Sequence, residues 1–163
     1  MRGMRFWIAM GCFLAVTAFS SAQTRKAGLW ELTTTMTWQQ SPIPGGMPGA
    51  ARGPQTTQVC LTQAMIDKYG AIPPTTSNGC QVINVVMKSG GMTADMVCTG
   101  AFSGKGTVEN SSADGVHATG SVHFVGMMQA GPKPAPIEWT SKSEATFKGA
   151  DCGSVKPAPM PDK

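Results

Sequence analysis

The sequence has few charged residues, few aromatic residues and almost no histidine. Only 13% of the 163 residues are Asp, Glu, Lys or Arg, 7% are aromatic, and two are histidine. Helices favour Ala, Leu, Glu and Lys, so this scarcity of charge beside 20 glycines and 12 prolines indicates turn-rich β structure. The basic residues lie mostly singly, which argues against the clustered basic face of a nucleic-acid-binding protein.

Long apolar runs are also missing, apart from one at the start of the chain. Arg2 and Arg5 precede an apolar stretch over residues 6–19, and the small residues Ser20-Ser21-Ala22 follow it. The stretch is shorter than the about 20 residues that span a bilayer, and the pattern is typical of a secretory signal peptide at 1–22. We therefore expect cleavage after Ala22, no membrane span in the mature chain, and a periplasmic or secreted protein.

A second interpretation of the N-terminus is lipidation at Cys12, since Ala9-Met10-Gly11-Cys12 resembles a lipoprotein cleavage site. Only three apolar residues separate Arg5 from that motif, far fewer than the roughly 7–15 of an export signal. The signal-peptide interpretation is therefore preferred. It leaves a mature chain of 141 residues with eleven basic and nine acidic residues, and so a net charge of +2.

Four cysteines remain in the mature chain: Cys60, Cys80, Cys98 and Cys152. An even number of cysteines in an exported chain predicts two disulfides. The preferred pairing joins Cys60 to Cys80, which closes an excursion containing a short helix, and Cys98 then pairs with Cys152. In the rival pairing, Cys80 bonds to Cys98 across a hairpin. A hairpin loop centred on Gly90 would place Cys98 nearly opposite Val82.

Alternation of polar and apolar residues predicts β-strands over most of the mature chain. In segment 28–38, Trp30, Leu32, Met36 and Trp38 share one parity, which is typical of a half-buried strand. Further segments at 56–61, 81–88, 92–99, 102–110, 116–125 and 137–148 predict an antiparallel meander of about seven strands. Thr62 is the expected N-cap of one short helix at 63–69, which Gly70 and Pro73 are expected to end. A stretch rich in proline and glycine, 41–54, predicts a long loop.

A sheet of seven strands with one apolar face must cover that face. Gly104, Gly106 and Gly120 lie inside strands, where glycine often marks a bend. We therefore expect an all-β fold, with a single disulfide-bonded domain at 23–152 curled into a barrel or half-barrel. A two-sheet β-sandwich is the alternative. Residues 153–163, which contain prolines, are expected to form a disordered tail.

The sequence contains no recognisable arrangement of catalytic or metal-binding residues. His117 and His123 share one face of a strand, but a spacing of six residues separates them by about 20 Å. There is no C-x-x-C, G-x-S-x-G or phosphate-loop motif. Met92 and Met96 occupy buried-looking positions, where methionine is ordinary core filler rather than a copper ligand. We therefore expect no catalytic residue, no cofactor, no metal and no enzymatic activity.

Several segments, in order along the chain, resemble a family of small exported bacterial proteins. Gly28-Leu29-Trp30-Glu31-Leu32 resembles the opening strand of that family. The resemblance continues over 27–152 through a Pro/Gly/Met-rich loop, Val59-Cys60-Leu61-Thr62 before a short helix, Cys80, Cys98 at the end of a hairpin, and the closing Asp151-Cys152. The family is known only as a domain of unknown function. The resemblance therefore implies periplasmic or secreted placement and brings no activity.

Two kinds of binding function fit these features. The apolar face of a curled sheet suits a small hydrophobic ligand or lipid. The aromatic residues that would line it are Trp30, Trp38, Trp139, Phe102 and Phe124, although the same residues also suit a packed core. The alternative is a cell-envelope interaction module that contacts another protein through its Pro/Gly/Met-rich loop.

Overall fold

The structure is a computed structural model that describes residues 25–43, 53–70, 79–129 and 133–157. In that part of the chain, seven strands and one helix follow one another. Their bounds are Gly28–Gln40 (β1), Gln55–Leu61 (β2), Gln63–Tyr69 (α1), Cys80–Lys88 (β3), Gly91–Cys98 (β4), Phe102–Ser111 (β5), His117–Gln129 (β6) and Pro134–Gly149 (β7). The predicted signal peptide, most of the predicted 41–54 loop and the end of the predicted tail lie outside the described residues.

All seven strands belong to one antiparallel sheet in the order β2-β1-β7-β6-β5-β4-β3. β3 to β7 form a meander, and β1 then pairs with β7 on one side and with β2 on the other. The predicted all-β meander of about seven strands with one short helix is confirmed. The sheet is not closed into a barrel, and because a single sheet holds all the described strands, these strands do not form the alternative β-sandwich.

The sheet is strongly curled, because α1 reaches from one sheet edge to the other. The helix follows β2 at one edge, and a Cβ placed on Gly70 at its end would lie 2.8 Å from Met87 Cε in β3, the opposite edge. The edges of a flat seven-stranded sheet would be about 29 Å apart. A seven-residue helix is only about 10 Å long. The sheet therefore takes the form of an open half-barrel.

Both ends of α1 are defined by the residues that the sequence predicts. Thr62 Oγ1 accepts a hydrogen bond from Met65 N at 3.3 Å. Gly70 follows the last turn with a φ of 64°, a left-handed conformation that side chains disfavour. Met65, Ile66 and Tyr69 are buried on one side of the helix. That side packs on the sheet beside the start of β1 and the end of β2.

The apolar face of the sheet carries two core clusters. The first cluster lies beside α1 and consists of Trp30, Leu61, Met65, Ile66 and Ala118. The second cluster consists of Cys98, Phe124, Met128 and Ile137, with Trp38, Trp139 and Phe102 among the half-buried residues packed against it. Trp30 and Phe124 are each only 1% exposed. These two aromatic side chains therefore fill the core.

The two disulfides join Cys60 to Cys152 and Cys80 to Cys98. The preferred pairing of Cys60 with Cys80 and of Cys98 with Cys152 is therefore wrong. The rival bridge between Cys80 and Cys98 is confirmed.

The register of the β3–β4 hairpin explains this correction. The turn contains only Ser89 and Gly90, so that Lys88 lies opposite Gly91. A β-bulge next to Asn84, whose φ is 52°, then shifts the register by one further residue. The tighter turn and the bulge together move the partner of Cys98 from the expected Val82 to Cys80.

Beyond Cys152, the chain returns to the edge of the sheet. Val155 N donates a hydrogen bond to Cys152 O at 3.0 Å. Pro157 forms an isolated parallel bridge with Cys60, which is also the disulfide partner of Cys152. The described beginning of the predicted tail thus lies beside β2. No helix in residues 25–43, 53–70, 79–129 or 133–157 is both long and apolar enough to cross a membrane.

Candidate binding surfaces

The two histidines lie apart, and each contacts its own carboxylate. His117 Nδ1 lies 2.6 Å from Asp114 Oδ2, and His123 Nε2 lies 3.0 Å from Glu138 Oε1. Both pairs are exposed. Within the described residues, no three His, Cys, Asp or Glu side chains are grouped so that they could hold a metal ion.

Asp114 stabilises the β5–β6 turn through hydrogen bonds to the backbone. Its Oδ1 accepts hydrogen bonds from Val116 N at 2.9 Å and from His117 N at 2.7 Å. The hydrogen bond to the His117 side chain, aided by these two backbone bonds, holds the pKa of Asp114 well below its usual range. An exposed carboxylate that stays ionised in this way closes the turn and does not suit the role of a general acid.

Between the two core clusters, one row of side chains on the apolar face is only half-buried. The register aligns this row across β1, β7, β6 and β5, and the second cluster flanks it with two tryptophans. We call this surface the apolar trough, and it comprises Met36, Ser141, Val122, Val108, Trp38 and Trp139. The structure thus places two of the predicted aromatic lining residues, Trp38 and Trp139, at a surface that is neither fully packed nor fully exposed.

One polar atom in the apolar trough has no partner in the described part of the chain. Trp38 Nε1 is buried and makes no hydrogen bond there. In contrast, Trp30 Nε1 donates to Lys26 O at 2.9 Å. Buried indole N–H groups usually find an acceptor. The trough therefore combines apolar side chains with one buried donor that has no acceptor among the described residues.

The opposite, polar face carries a groove with a cavity volume of about 470 Å³. The register aligns its outward side chains in two rows. One row is Lys88, Gly91, Ser111, Thr119 and Glu144, and the other is Thr93, Glu109, Ser121 and Lys142. We call this surface the polar groove. Hydroxyl groups lie at its centre, and four charged side chains lie around them.

The register separates Glu109 from Lys142 in the polar groove, whereas Lys142 and Glu144, two residues apart on β7, are about 7 Å apart. Glu109 lies opposite Ser121, which in turn lies opposite Lys142, so the two charged residues are two strand spacings, or about 10 Å, apart. On the same face outside the groove, Lys148 Nζ contacts Glu31 Oε1 at 2.9 Å. Among the described residues, none of the four groove charges takes part in an ion pair.

The polar groove has no signature in the sequence. The alternating charges of 137–148 predict only a solvated sheet face, and Lys142, Glu144 and Lys148 are exposed on that face. The missing information was which residues of β4, β5 and β6 lie beside Lys142 and Glu144. That depends on strand register, and no local motif reports it.

Comparison with known proteins identifies a family and no activity. No curated protein and no solved structure matches the chain. The model of one protein family, described as a protein of unknown function (DUF3617), matches residues 25–152. This match spans every strand of the sheet, both surfaces described above and all four disulfide cysteines. Since it covers more than half of the sequence, the chain belongs to the DUF3617 family of proteins of unknown function.

Proposed function

We propose that the protein is an exported, non-enzymatic binding module that holds a small hydrophobic ligand or lipid in its apolar trough. The observation that carries the proposal is the half-burial of Met36, Val108 and Val122 between two packed clusters. Covering apolar surface is favourable by about 25 cal/mol per Å². Concave and mainly apolar surfaces with a few polar groups are the usual ligand sites of proteins.

The indole of Trp38 narrows the proposed ligand class. Its Nε1–H needs an acceptor, and a carbonyl or carboxylate oxygen of a fatty acid or lipid ester would supply one while the alkyl part lies on the valines. A buried donor without a partner costs about 1–3 kcal/mol, which such a bond would recover. Because Nε1 is buried, binding must be accompanied by a shift of the side chains over the indole.

The proposed location rests on two features of the chain. Disulfides persist in oxidising compartments, and the protein has two. The signal-peptide pattern of residues 1–22 agrees with placement in the periplasm or outside the cell. The non-enzymatic part of the proposal rests on the scattered acidic residues and on the separation of the two histidines.

Val122 and Val125 offer a matched test of the apolar trough. Both lie on β6, but Val122 belongs to the trough and Val125 is 51% exposed on the other face. We expect Val122→Asn to weaken the binding of an apolar fluorescent dye about fivefold or more. The dye would cover the exposed part of the valine, and losing roughly half of the transfer free energy of that side chain costs about 1 kcal/mol. Val125→Asn should leave dye binding unchanged.

The control for this test is that circular dichroism and thermal unfolding show both variants to be folded. Native mass spectrometry of the exported protein, purified without detergent, should show an additional non-covalent mass. The proposal fails if the wild-type protein neither carries such a mass nor takes up the dye. It also fails if the two folded variants lose dye binding equally.

A second candidate, contact with another envelope protein, is favoured by the edge strand β3. Ile83 and Val86 are 40% and 53% exposed, and β3 ends the sheet of described strands. Exposed apolar edge strands are typical sites of strand addition. The loop at 41–54, which the sequence favours for this role, lies largely outside the described residues.

Pull-down from an envelope extract tests this candidate. If β3 binds a partner, an Ile83→Lys/Val86→Lys double variant should lose a protein that the wild type retains. Deletion of 41–54 is the parallel test of the loop. Identical recovered proteins from the wild type and both variants would exclude this candidate.

A further inference from the structure

We propose that the polar groove is a separate binding site for a small zwitterion, in which an ammonium group and an oxyanion are held a few bonds apart. This inference does not depend on the apolar trough, because the two surfaces lie on opposite faces of the sheet. A cavity of about 470 Å³ lies within the range of about 300–1,000 Å³ that is usual for ligand sites.

The charges of the groove require a ligand that carries both signs. Opposite charges placed directly across from each other stabilise a sheet, yet Ser121 lies between Glu109 and Lys142 here. Two lysines and two glutamates give the rim no net charge, so neither a simple anion nor a simple cation is preferred. A zwitterion satisfies both signs at once, with its ammonium at Glu109 and its oxyanion at Lys142.

The spacing of these two residues matches a short ligand. Two extended residues of a peptide span at most about 7 Å, and a charge-assisted hydrogen bond at each end adds about 2.8 Å. The total, about 13 Å, is close to the strand separation of about 10 Å between Glu109 and Lys142. The long and exposed Glu109 and Lys142 side chains can adjust to the difference.

Hydroxyl groups between the charges suit the middle of such a ligand. Ser121 lies between Glu109 and Lys142 in the register. In the neighbouring row, Ser111 Oγ and Thr119 Oγ1 hydrogen-bond to each other at 3.0 Å. Each hydroxyl can donate once and accept twice, so capacity remains for an amide or phosphate oxygen. The groove is open to water, and we expect affinity of only about millimolar strength.

The experiment titrates the protein with each of three probes and monitors binding through the NMR chemical shifts of the backbone amides. Dialanine and glycerophosphoethanolamine are net-neutral zwitterions of peptide and lipid-headgroup chemistry, whereas N-acetyl-dialanine amide has the same peptide core without charge. We expect at least one zwitterion to cause saturable shifts at Glu109, Ser121 and Lys142 below about 10 mM, and the uncharged peptide to cause none. Which zwitterion binds more tightly distinguishes a peptide ligand from a headgroup.

Substitutions provide the second part of the test. Glu109→Gln and Lys142→Met should each weaken zwitterion binding at least fivefold, as expected for the loss of about one charge-assisted hydrogen bond. Lys148→Met is the matched control, because Lys148 lies on the same strand and face but contacts Glu31 outside the groove. The Lys148→Met variant should bind the zwitterions as tightly as the wild type.

Three results would overturn the inference. They are the absence of saturable shifts with both zwitterions, equal binding of the uncharged peptide, and a loss in Lys148→Met as large as in Lys142→Met. None of these bears on the apolar trough, whose test uses an apolar dye and Val122. The two proposals therefore stand or fall separately.

Discussion

At the scale of single residues, Trp30 combines several stabilising contacts. Its Nε1 donates to a backbone oxygen of Lys26. Its ring meets Phe147 edge-on at a centroid distance of 5.6 Å, and the guanidinium carbon of Arg25 lies 5.6 Å from the ring centroid. Such cation–π and aromatic contacts each contribute about 0.5–1.5 kcal/mol beyond area burial. Trp30 therefore connects the start of β1 to β7 and α1.

A comparison of two tryptophans tests this role. We expect Trp30→Ala to lower the free energy of unfolding by about 3–5 kcal/mol, because it leaves a cavity in the first cluster. Trp38→Ala should cost less, since Trp38 is half-buried and its Nε1 makes no hydrogen bond in the described part of the chain. Urea denaturation measures both values. Equal losses would show that the two side chains contribute alike.

At the scale of elements, the N-cap of α1 is a local and separable contribution. Thr62→Ala removes the acceptor of the Met65 amide and should cost about 1 kcal/mol. Gln63→Ala is the matched control, because Gln63 is exposed and contributes only a side-chain contact to Asp67 at 2.8 Å, worth about 0.2–0.5 kcal/mol. Hydrogen exchange should quicken at Met65 in the first variant. Unchanged exchange there would contradict the cap.

The β5–β6 turn adds a pH dependence through Asp114. Because its folded-state pKa is held below the unfolded value of about 3.9, its stabilising effect is complete above that value and is lost as the pH falls toward the folded pKa. Between about pH 5 and pH 2, the Tm of the wild type should therefore fall more steeply than that of Asp114→Asn. Parallel Tm curves would exclude this effect.

At the scale of the whole molecule, the two disulfides differ in the length of chain that they close. The bridge between Cys60 and Cys152 closes 92 residues, and that between Cys80 and Cys98 closes 18. Loop-closure entropy then predicts losses of about 4.6 and 3.2 kcal/mol when each pair is replaced by alanine. Urea denaturation of the two double variants measures them. The opposite order would show that native contacts, rather than loop length, govern the stability of the bridges.

The elements and their faces were predictable from local patterns. Alternation along 116–125 predicts Val122 and Phe124 on one face and His123 on the other, and the structure confirms this, as it confirms α1 between Thr62 and Gly70. These features depend on residues within a few positions of one another. A side chain's face on a strand and the cap of a helix are decided by backbone geometry at that distance.

Which strands and residues are neighbours depends on contacts between segments that are distant in the sequence. The partner of Cys98 was decided by a tight turn and a bulge at Asn84, which together shift the register by two residues. A shift of two residues keeps every side chain on its face, so hydrophobic alternation does not reveal it. The polar groove likewise joins Glu109 to Lys142, 33 positions apart, through the order of strands. The residue pattern alone thus specifies strands, caps and exposed faces, because these are local. The disulfide pairing, the apolar trough and the polar groove come from the tertiary structure, because only strand order and register bring their residues together.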